Sequence, residues 1–364
     1  MLDHNGDTRE TARRALEICN SCRYCDGYCA MFLSMERRCA FSDGDLTHLA
    51  NLCHNCRNCY YACQYAPPHP FAVNVPASLA RVRWQSYEEH AWPSALRGLF
   101  RSNCRTIAWL SLFIVGLTVA LTVGIVPAEA LFRPHHGPGA FYAVIPWGAM
   151  AGLAGTTLGW SVLALAMGAR SFWRATGGGT PRALGRALGD ALALRNLGGG
   201  GIGCAEGENG FSPWRRRFHH ALFYGIGLCA AATAVATVYD HVFGWEAPYS
   251  RFSVPVVLGS LGGLGMVIGA IGLLHLKDRA DRAPTAVELQ GADRAFLHLL
   301  WLTATSGLAL MALRGTAAMG LLLAVHLGTV LAVFVALPYS RFVHSVYRVS
   351  ALVHAAMEGG RVER

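Results

Sequence analysis

Six long apolar stretches restrict the fold of this chain more than any other feature of its sequence. They are 106–126, 141–167, 220–241, 254–276, 295–313 and 316–337. A helix of about 20 apolar residues crosses the roughly 30 Å of a bilayer's hydrocarbon core. Each stretch is apolar all round rather than on one face. Only 15% of the residues are charged, against about 25% in a soluble domain. The sequence therefore predicts a six-helix transmembrane bundle.

The basic side chains divide unevenly between the segments outside these stretches. Residues 1–105, 168–218, 277–294 and 341–364 hold 28 of the 31 Lys and Arg residues. Because basic residues accumulate in cytoplasmic loops, this predicts a multi-pass protein of the inner (cytoplasmic) membrane with both termini cytoplasmic. Residues 1–30 lack the apolar core of a signal peptide, so the segment before the first span is expected to stay in the reducing cytoplasm.

Two copies of a C-x2-C-x2-C-x3-C motif stand in that segment. Three thiolates at steps of three, with a fourth nearby, are typical of the bacterial ferredoxin run that binds a [4Fe-4S] cluster. A structural zinc site is the alternative, although it usually has two C-x2-C pairs separated by a longer loop. The predicted ligands are Cys19, Cys22, Cys25 and Cys29 in the first motif, and Cys53, Cys56, Cys59 and Cys63 in the second.

The fourth cysteine of such a run usually ligates the other cluster. The motifs therefore predict two [4Fe-4S] clusters, one held by Cys63 with the first three cysteines and one by Cys29 with the next three. Cys39, Cys104, Cys204 and Cys229 lie outside both motifs and are expected to be small buried residues. The overall expectation is an all-α protein. It has a ferredoxin-like helical cytoplasmic domain at 1–103, a transmembrane domain at 104–349 and a cytoplasmic tail at 350–364.

Histidines in and near the spans are candidate haem b ligands, because ionisable groups at membrane depth are usually functional. His326 lies within the sixth stretch, and His344 follows eighteen residues later. On one continuous helix both would face the same side about 27 Å apart, although Pro338 stands between them. The remaining candidates are His219, His220, His275 and His298.

Haem b needs two imidazoles from different helices, which leaves several pairings open. His344 with His219 or His220 would hold an inner haem, and His326 with His298 a deeper one. One or two haems are predicted on this basis. The alternative is that these are hydrogen-bonded or interfacial histidines. The Gly-rich parts of 168–218 have no βαβ context for a dinucleotide site, and this segment is predicted to be a flexible loop with a surface helix at 181–197.

The chain resembles the tricarballylate-utilisation protein B family, also called CitB-like. The resemblance rests on Leu52–Cys56 and Cys63–His69 in the head, and on Phe218–His220, Leu274–Lys277 and Leu337–His344 later in the chain. It implies a membrane partner of a cytoplasmic FAD-dependent tricarballylate dehydrogenase that passes electrons through iron–sulfur clusters, and haem b, to the quinone pool. The membrane part also resembles the cytochrome b subunit of respiratory nitrate reductase.

A redox relay subunit is therefore the favoured function, rather than an enzyme that transforms a substrate by itself. The sequence shows no paired carboxylates, nucleophile with base, or phosphate loop for substrate chemistry, and nothing points to nucleic acid. Two alternatives remain open at this stage. One is a cytochrome b and iron–sulfur subunit of a heterodisulfide-reductase-like complex. The other is a transporter with a redox-sensing head, although no span carries a central Pro or a clear inverted repeat.

Overall fold

The structure is a computed structural model, and most of the chain in it is helical. Its only strands in the described residues form a short antiparallel ribbon, Cys204–Gly207 (β1) and Gly210–Ser212 (β2). The all-α prediction is therefore confirmed. The described residues are 5–178, 183–199, 203–207 and 210–362.

The segment before the first span folds into a small helical head. Its helices are α1 (Asn5–Cys22), α2 (Ala30–Met35), α3 (Asp43–Leu52), α4 (Asn58–Tyr61) and α5 (Val75–Glu89). A 3-10 helix at Ser94–Phe100 then leads to the membrane.

The longer head helices are held together by a common apolar core. Leu16 of α1, Leu49 of α3 and Leu79 of α5 are each almost fully buried in it. A capping box starts α3: the Ser42 hydroxyl accepts from the backbone N–H of Asp45, and the Asp45 carboxylate accepts from that of Ser42. Two otherwise unpaired donors are thereby satisfied, which fixes the beginning of the helix.

Six helices among the described residues are long and apolar enough to cross a membrane, as predicted. They are α6 (Asn103–Ile125), α8 (Trp147–Ala175), α10 (Trp214–Phe243), α11 (Val254–Arg279), α12 (Gln290–Leu313) and α13 (Met319–Ala336). Two short helices, α7 (Ala128–Leu131) and α9 (Leu184–Leu192), lie in the connections.

Glycines bring α10 and α11 into close contact. A Cβ atom added to Gly262 of α11 would lie 2.8 Å from the carbonyl oxygen of Gly225 and from the Sγ of Cys229 on α10. One added to Gly265 would lie 3.0 Å from the carbonyl oxygen of Ala221. Small residues at this spacing let two backbones pack directly against each other in lipid.

The chain turns directly after the sixth span. Helix α13 stops at Ala336, a 3-10 turn containing Pro338 follows, and a new helix α14 covers Val343–Val362. His326 and His344 therefore lie on two helices separated at Pro338, and not on one continuous helix. Proline lacks the N–H that would continue the ladder of backbone hydrogen bonds, so the chain turns at this point.

Helix α14 returns to the head rather than forming a separate tail. Its residues Ala351, Leu352 and Val353 are buried in the same apolar core as the head helices. Tyr347 stacks on Phe172 of α8, with ring centroids 4.9 Å apart and an interplanar angle of 4°. The domain boundary expected between residues 349 and 350 lies inside this helix. The head is therefore built from both ends of the described chain.

The connection between α8 and α10 is also tied to the head. The Asn58 side-chain amide donates to the carbonyls of Gly199 and Gly203, at 2.8 and 3.1 Å. The backbone N–H of Ala205 in β1 donates to the Cys56 carbonyl at 2.9 Å. The described parts of this predicted flexible loop therefore pack on the second cysteine motif. Of the predicted surface helix at 181–197, residues 181 and 182 lie outside the described residues, and α9 covers 184–192.

Candidate functional site

One pocket of the head is lined by the four ligands predicted for one cluster, Cys19, Cys22, Cys25 and Cys63, and also by Cys59 of the other set. We call it the first pocket. Cys19 and Cys22 stand three residues apart in the last turn of α1, so they share one face of the helix. The chain then turns to bring in Cys25, and Cys63 arrives from the segment after α4.

A second pocket is lined by the other four, Cys29, Cys53, Cys56 and Cys59. Cys29 is the N-cap residue of α2, and Cys53 is the C-cap residue of α3. Burial, and then the neighbouring Cys53, raises the pKa of the Cys29 thiol to about 11, and the backbone N–H groups of Phe32 and Met31 act against this shift. The structure thus brings together the two sets of four that the crossed-ligand prediction requires.

The two motifs use the same unusual turn. Arg23 follows the second cysteine of the first motif with φ 55°, and Arg57 occupies the same position in the second motif with φ 67°. A non-glycine residue in this left-handed region costs roughly 1–2 kcal/mol. Such strain persists where the surrounding structure demands it, and it concentrates at functional sites. Here it directs the third cysteine of each motif toward the same centre as the first two.

The pockets share a wall, because Cys59 lines both of them. Burial, followed by the neighbouring thiols, raises the pKa of Cys19 to about 12. Burial raises the pKa of Cys56 to about 12 as well, and neighbouring Cys29 adds to this shift. Four crowded thiols of this kind ionise together only when a cation joins them. The donor set therefore fits a metal centre with four thiolate ligands, and ligation by iron–sulfur clusters stays a prediction.

The four other cysteines differ in burial. Cys204 is buried, Cys229 is half-buried, and Cys39 and Cys104 are exposed. The expectation of burial is therefore wrong for Cys39 and Cys104. Each of these two lies at the surface of the described structure, where an apolar packing role does not apply.

Three arginines from distant parts of the chain hold the backbone of the second motif. Arg83 of α5 donates to the carbonyls of Ala50 and Cys53. Arg348 of α14 donates to the carbonyls of Asn51 and Cys53, at 3.2 and 3.0 Å.

The third arginine, Arg215 of α10, donates to the carbonyls of Asn55 and His54, at 2.6 and 2.9 Å. We call Arg83, Arg215 and Arg348 the arginine clamp. Among the residues that the structure describes, none of the three forms an ion pair with a carboxylate.

The arginine clamp needs a negative partner. Arg83 is 1% exposed, and the other two are half-buried between head and membrane helices. Burial, and then the charge of Arg83, lowers the pKa of Arg348 to about 9. Unpaired buried charge costs several kcal/mol per ion. A metal centre with four thiolate ligands carries net negative charge, so the second pocket supplies the missing partner when it is loaded.

The first pocket has different surroundings. Tyr24 beside it is 66% exposed and Phe71 is 47% exposed. The nearest charged neighbour that affects Cys25 is the carboxylate of Asp26, an exposed residue. Gln64, also exposed, is the only described side chain that donates to a sulfur of this pocket, at 3.9 Å from the Cys22 Sγ. The first pocket therefore faces solvent through an aromatic surface.

Two of the predicted haem ligands meet where α10 leaves the head. The rings of His219 and His344 have centroids 6.2 Å apart and an interplanar angle of 81°. The His344 Nδ1 lies 2.5 Å from the Arg341 carbonyl, an arrangement in which it donates and leaves Nε2 as a ligand atom. Burial holds the pKa of His344 well below its usual range, so it stays neutral. Among the described residues, the buried His219 Nδ1 has no hydrogen-bond partner.

The other candidate histidines are not paired in this way. His275 and His298 are exposed, and His220 contacts the Ala193 carbonyl at 3.2 Å. His326 lies 3.1 Å from the Ser306 hydroxyl on α12. Since Ser306 is eight residues beyond His298, the two predicted partners lie about 12 Å apart along the helix axis. The expected deeper pair of His326 with His298 is therefore not formed.

A polar cavity separates the second pocket from the membrane helices. Asn55 and Arg57, on either side of the ligand Cys56, line it. So do Lys277 and Asp293, whose side chains pair at 2.6 Å near the ends of α11 and α12. Arg341 pairs with the same carboxylate at 3.2 Å. Leu273, Leu276 and Leu289 complete an apolar wall. We call this space the boundary cavity.

A second group of potential metal ligands joins α14 to the head. The Nδ1 atoms of His48 and His354 lie 3.3 Å apart, and Glu358 lies 3.9 Å from a ring nitrogen of each. Arg38 already pairs with Glu358 at 2.5 Å, and the Ser34 hydroxyl donates to that carboxylate at 2.7 Å. Because Arg38 already neutralises the Glu358 carboxylate, we interpret this cluster as a polar contact between α14 and the head rather than as a metal site.

Sequence reasoning missed the arginine clamp and the boundary cavity. Arg215 belongs to a run of three arginines whose positions favour a topological role, and only its partners reveal another. Lys277 is the single lysine in the chain, and Asp293 opens the fifth span. An isolated lysine and carboxylate at the ends of neighbouring spans are a detectable signal, because ionisable groups there are usually functional.

Comparison with known proteins finds two family models that together cover most of the chain. The family model "Citrate utilization protein B Fer4-like domain" matches residues 12–89, and "Citrate utilization protein B" matches residues 101–363. The chain is 43% identical over 351 residues to citrate utilization protein B of Escherichia coli, covering 96% of this chain and 92% of the relative. No solved structure matches. With both parts matched and nearly the whole length aligned, this chain belongs to the citrate utilization protein B family.

Proposed function

We propose that this protein relays electrons from a cytoplasmic FAD-dependent dehydrogenase to a quinone in the membrane. The observation that carries the proposal is the arrangement of the two four-cysteine pockets. They share Cys59, one faces solvent, and the other borders the boundary cavity at the membrane helices. Two [4Fe-4S] clusters in these pockets would supply one-electron carriers along that line.

The overall reaction balances without another oxidant. Oxidation of a flavin hydroquinone releases two electrons and two protons, and reduction of a quinone to a quinol takes up the same numbers. One-electron carriers are suited to connect a soluble two-electron donor with a lipid-soluble two-electron acceptor, and the protein provides position and electrostatics. The family and its E. coli relative support a dehydrogenase whose substrate is citrate or a similar tricarboxylic acid such as tricarballylate.

The surface around the first pocket suits the dehydrogenase partner. Tyr24 and Phe71 present exposed aromatic rings beside the edge that carries Cys22. Aromatic residues are enriched where protein partners dock, because they bury large areas at low cost in conformational entropy. In the proposed complex these two rings hold the flavoprotein against the pocket that lies farther from the membrane.

The boundary cavity suits a quinone head group. Lys277 and Arg341 offer hydrogen-bond donors for carbonyl oxygens, and the Asp293 carboxylate between them holds both side chains in place. The leucine wall is compatible with an apolar ring. The cavity is next to Cys56 through both of its neighbours, which keeps the acceptor close to the second pocket.

His219 and His344 are the proposed ligands of one haem b. The buried unpartnered Nδ1 of His219 and the backbone-oriented ring of His344 match what a bis-imidazole site requires. Haem b would add a one-electron carrier at the cytoplasmic end of α10. The structure pairs no other histidines of the predicted set among its described residues, so one haem is proposed rather than two.

The proposed topology follows the basic loops. The head and α14 lie in the cytoplasm, where the dehydrogenase acts, and the six helices cross the inner membrane. The loops 127–140, 242–252 and 314–315, which hold 3 of the 31 basic residues, face the opposite side. A reporter fused after α14 and one inserted in 242–252 are expected to show opposite accessibility in intact cells.

Spectroscopy of the purified full-length protein tests the proposal. We expect broad iron–sulfur absorbance, two [4Fe-4S] signals by electron paramagnetic resonance after dithionite reduction, and sharp reduced haem bands. Cys56→Ser is expected to abolish quinone reduction while leaving membrane insertion intact, and Cys39→Ser serves as the matched control outside both pockets. A colourless protein that binds zinc would overturn the iron–sulfur relay, and a protein with clusters but no haem bands would remove only the haem.

A further inference from the structure

The arginine clamp gathers positive charge at one pocket only. Its three guanidinium groups reach the carbonyls of residues 50–55, a segment that includes the ligand Cys53 and ends next to Cys56. All of these acceptors are neutral, so the hydrogen bonds do not offset the positive charge. The carboxylate that acts on Arg83 is Asp293, which already pairs with Lys277 and Arg341. Among the described residues, no carboxylate pairs with them, as noted above.

The first pocket has no matching feature. Its charged neighbours Arg14, Arg23 and Asp26 are exposed, so water screens their fields. The only described side chain that donates to one of its sulfurs is the neutral amide of Gln64. The two pockets thus offer four thiols in the same spacing but unlike electrostatic environments.

This electrostatic difference would change the reduction potentials of the bound clusters, because a four-thiolate iron–sulfur cluster gains one negative charge when it accepts an electron. Cluster potentials respond to net charge, to hydrogen bonds and to solvent exposure. Burial alone disfavours the more charged reduced form at the second pocket. Three positive charges beside the ligand-bearing backbone stabilise the reduced form instead. Their electrostatic effect is larger in this low-dielectric environment than it would be in water.

We propose that Arg83, Arg215 and Arg348 raise the reduction potential of the cluster at the second pocket above that of the cluster at the first. With clusters bound, this difference in potential would favour transfer of one electron from the solvent-facing first pocket to the second pocket at the membrane helices. The inference rests on the proposed iron–sulfur function. It assigns the arginines a positioning and tuning role, since none of them touches a reacting atom.

Redox titration of the detergent-solubilised full-length protein, followed by electron paramagnetic resonance, tests this. Arg348→Gln is expected to make reduction of the second cluster at least tenfold less favourable, which is 59 mV for one electron. The first cluster should not shift. Arg348→Lys keeps the charge and should keep most of the potential, whereas a purely structural role predicts no shift with either variant.

The signals are assigned by removing ligands. Cys22→Ser should delete the unshifted signal, and Cys29→Ser should delete the signal that Arg348→Gln shifts. If Arg348→Gln fails to retain its cluster by iron and sulfide analysis, Arg215→Gln replaces it, since that side chain contacts only the carbonyls of His54 and Asn55 among backbone atoms.

The outcomes separate this inference from the proposed function. Two [4Fe-4S] signals with unchanged potentials in the arginine variants would overturn the inference and leave the relay standing. A wild-type second cluster that is reduced at lower potential than the first would also overturn it. Absence of both signals would overturn the proposed function itself.

Discussion

The two cysteine pockets have the same ligand spacing and the same left-handed turn, yet they are built for different neighbours. The first stands at the edge of the head among exposed aromatic side chains. The second is enclosed by three arginines that come from α5, α10 and α14. The comparison shows that a short motif determines the donor set, whereas the rest of the chain determines the electrostatics and accessibility of the site.

The largest expected effect is a difference in stability between matched cysteine variants. Cys56→Ala should lower the unfolding free energy by about 3 kcal/mol or more, because loss of the second cluster leaves the arginine clamp without a negative partner. Cys22→Ala should lower it less, because loss of the first cluster removes binding free energy but leaves no buried arginine without a partner. Thermal unfolding in detergent, together with iron content, measures both. Equal losses of stability would contradict the proposed counter-charge role of the second cluster.

The second largest effect is expected in the boundary cavity, which borders the second pocket. Asp293→Asn should slow quinol formation about 100-fold, because loss of the carboxylate releases Lys277 and Arg341 from their positions in the cavity. Reduction of both clusters by dithionite should be unchanged. Asp240→Asn, at the opposite end of the spans on α10, is the matched control. A normal rate of quinol formation in Asp293→Asn would move the acceptor site elsewhere.

A smaller effect is expected at the surface of the first pocket. The double variant Tyr24→Ser and Phe71→Ser should reduce electron transfer from the dehydrogenase about tenfold, since loss of a docking contact costs about 1–2 kcal/mol. Dithionite should still reduce the protein at the wild-type rate. Leu33→Ser removes another exposed apolar side chain of the head and serves as the control. The proposed docking site is wrong if Leu33→Ser lowers the rate of electron transfer as much as the double variant does.

The smallest effect tests a contact outside both pockets. Burial, and then His354, lowers the pKa of His48 to about 3 from its ordinary 6.5. The unfolded chain therefore binds the proton first, and stability falls as pH drops below about 6.5, by about 1 kcal/mol per pH unit at this site. The neighbouring groups are Glu358, Arg38 and Asp45. Glu358 adds to the acid sensitivity, because hydrogen bonds from Arg38 and Ser34 lower its pKa.

His48→Gln should reduce that slope, measured as thermal stability at pH 7.5 and 5.5. His136→Gln is a control, because this histidine lies on a loop between the first two spans. If the slope is unchanged in His48→Gln, the acid sensitivity arises at other groups. The titratable groups around the two cysteine pockets would then be the next candidates for the source of the acid sensitivity.

The membrane helices and the two ligand sets were predictable because each depends on local pattern. Length and apolarity identify a span, and cysteine spacing identifies a cluster motif. The clamp was not predictable, because Arg83, Arg215 and Arg348 meet only after the chain has crossed the membrane six times. The course of the chain beyond Pro338 was also missed: α14 has an amphipathic face whose partner is the head, more than 250 residues earlier.

Helix α14 has a consequence for how the protein is made. A ribosome delivers the head first and α14 only after the sixth span. Until then, the core that contains Tyr347, Ala351 and Leu352 lacks one of its walls. The arginine clamp lacks Arg348 for the same period. The wall of the head core and the third arginine of the clamp are therefore completed only by the last part of the chain to be synthesised.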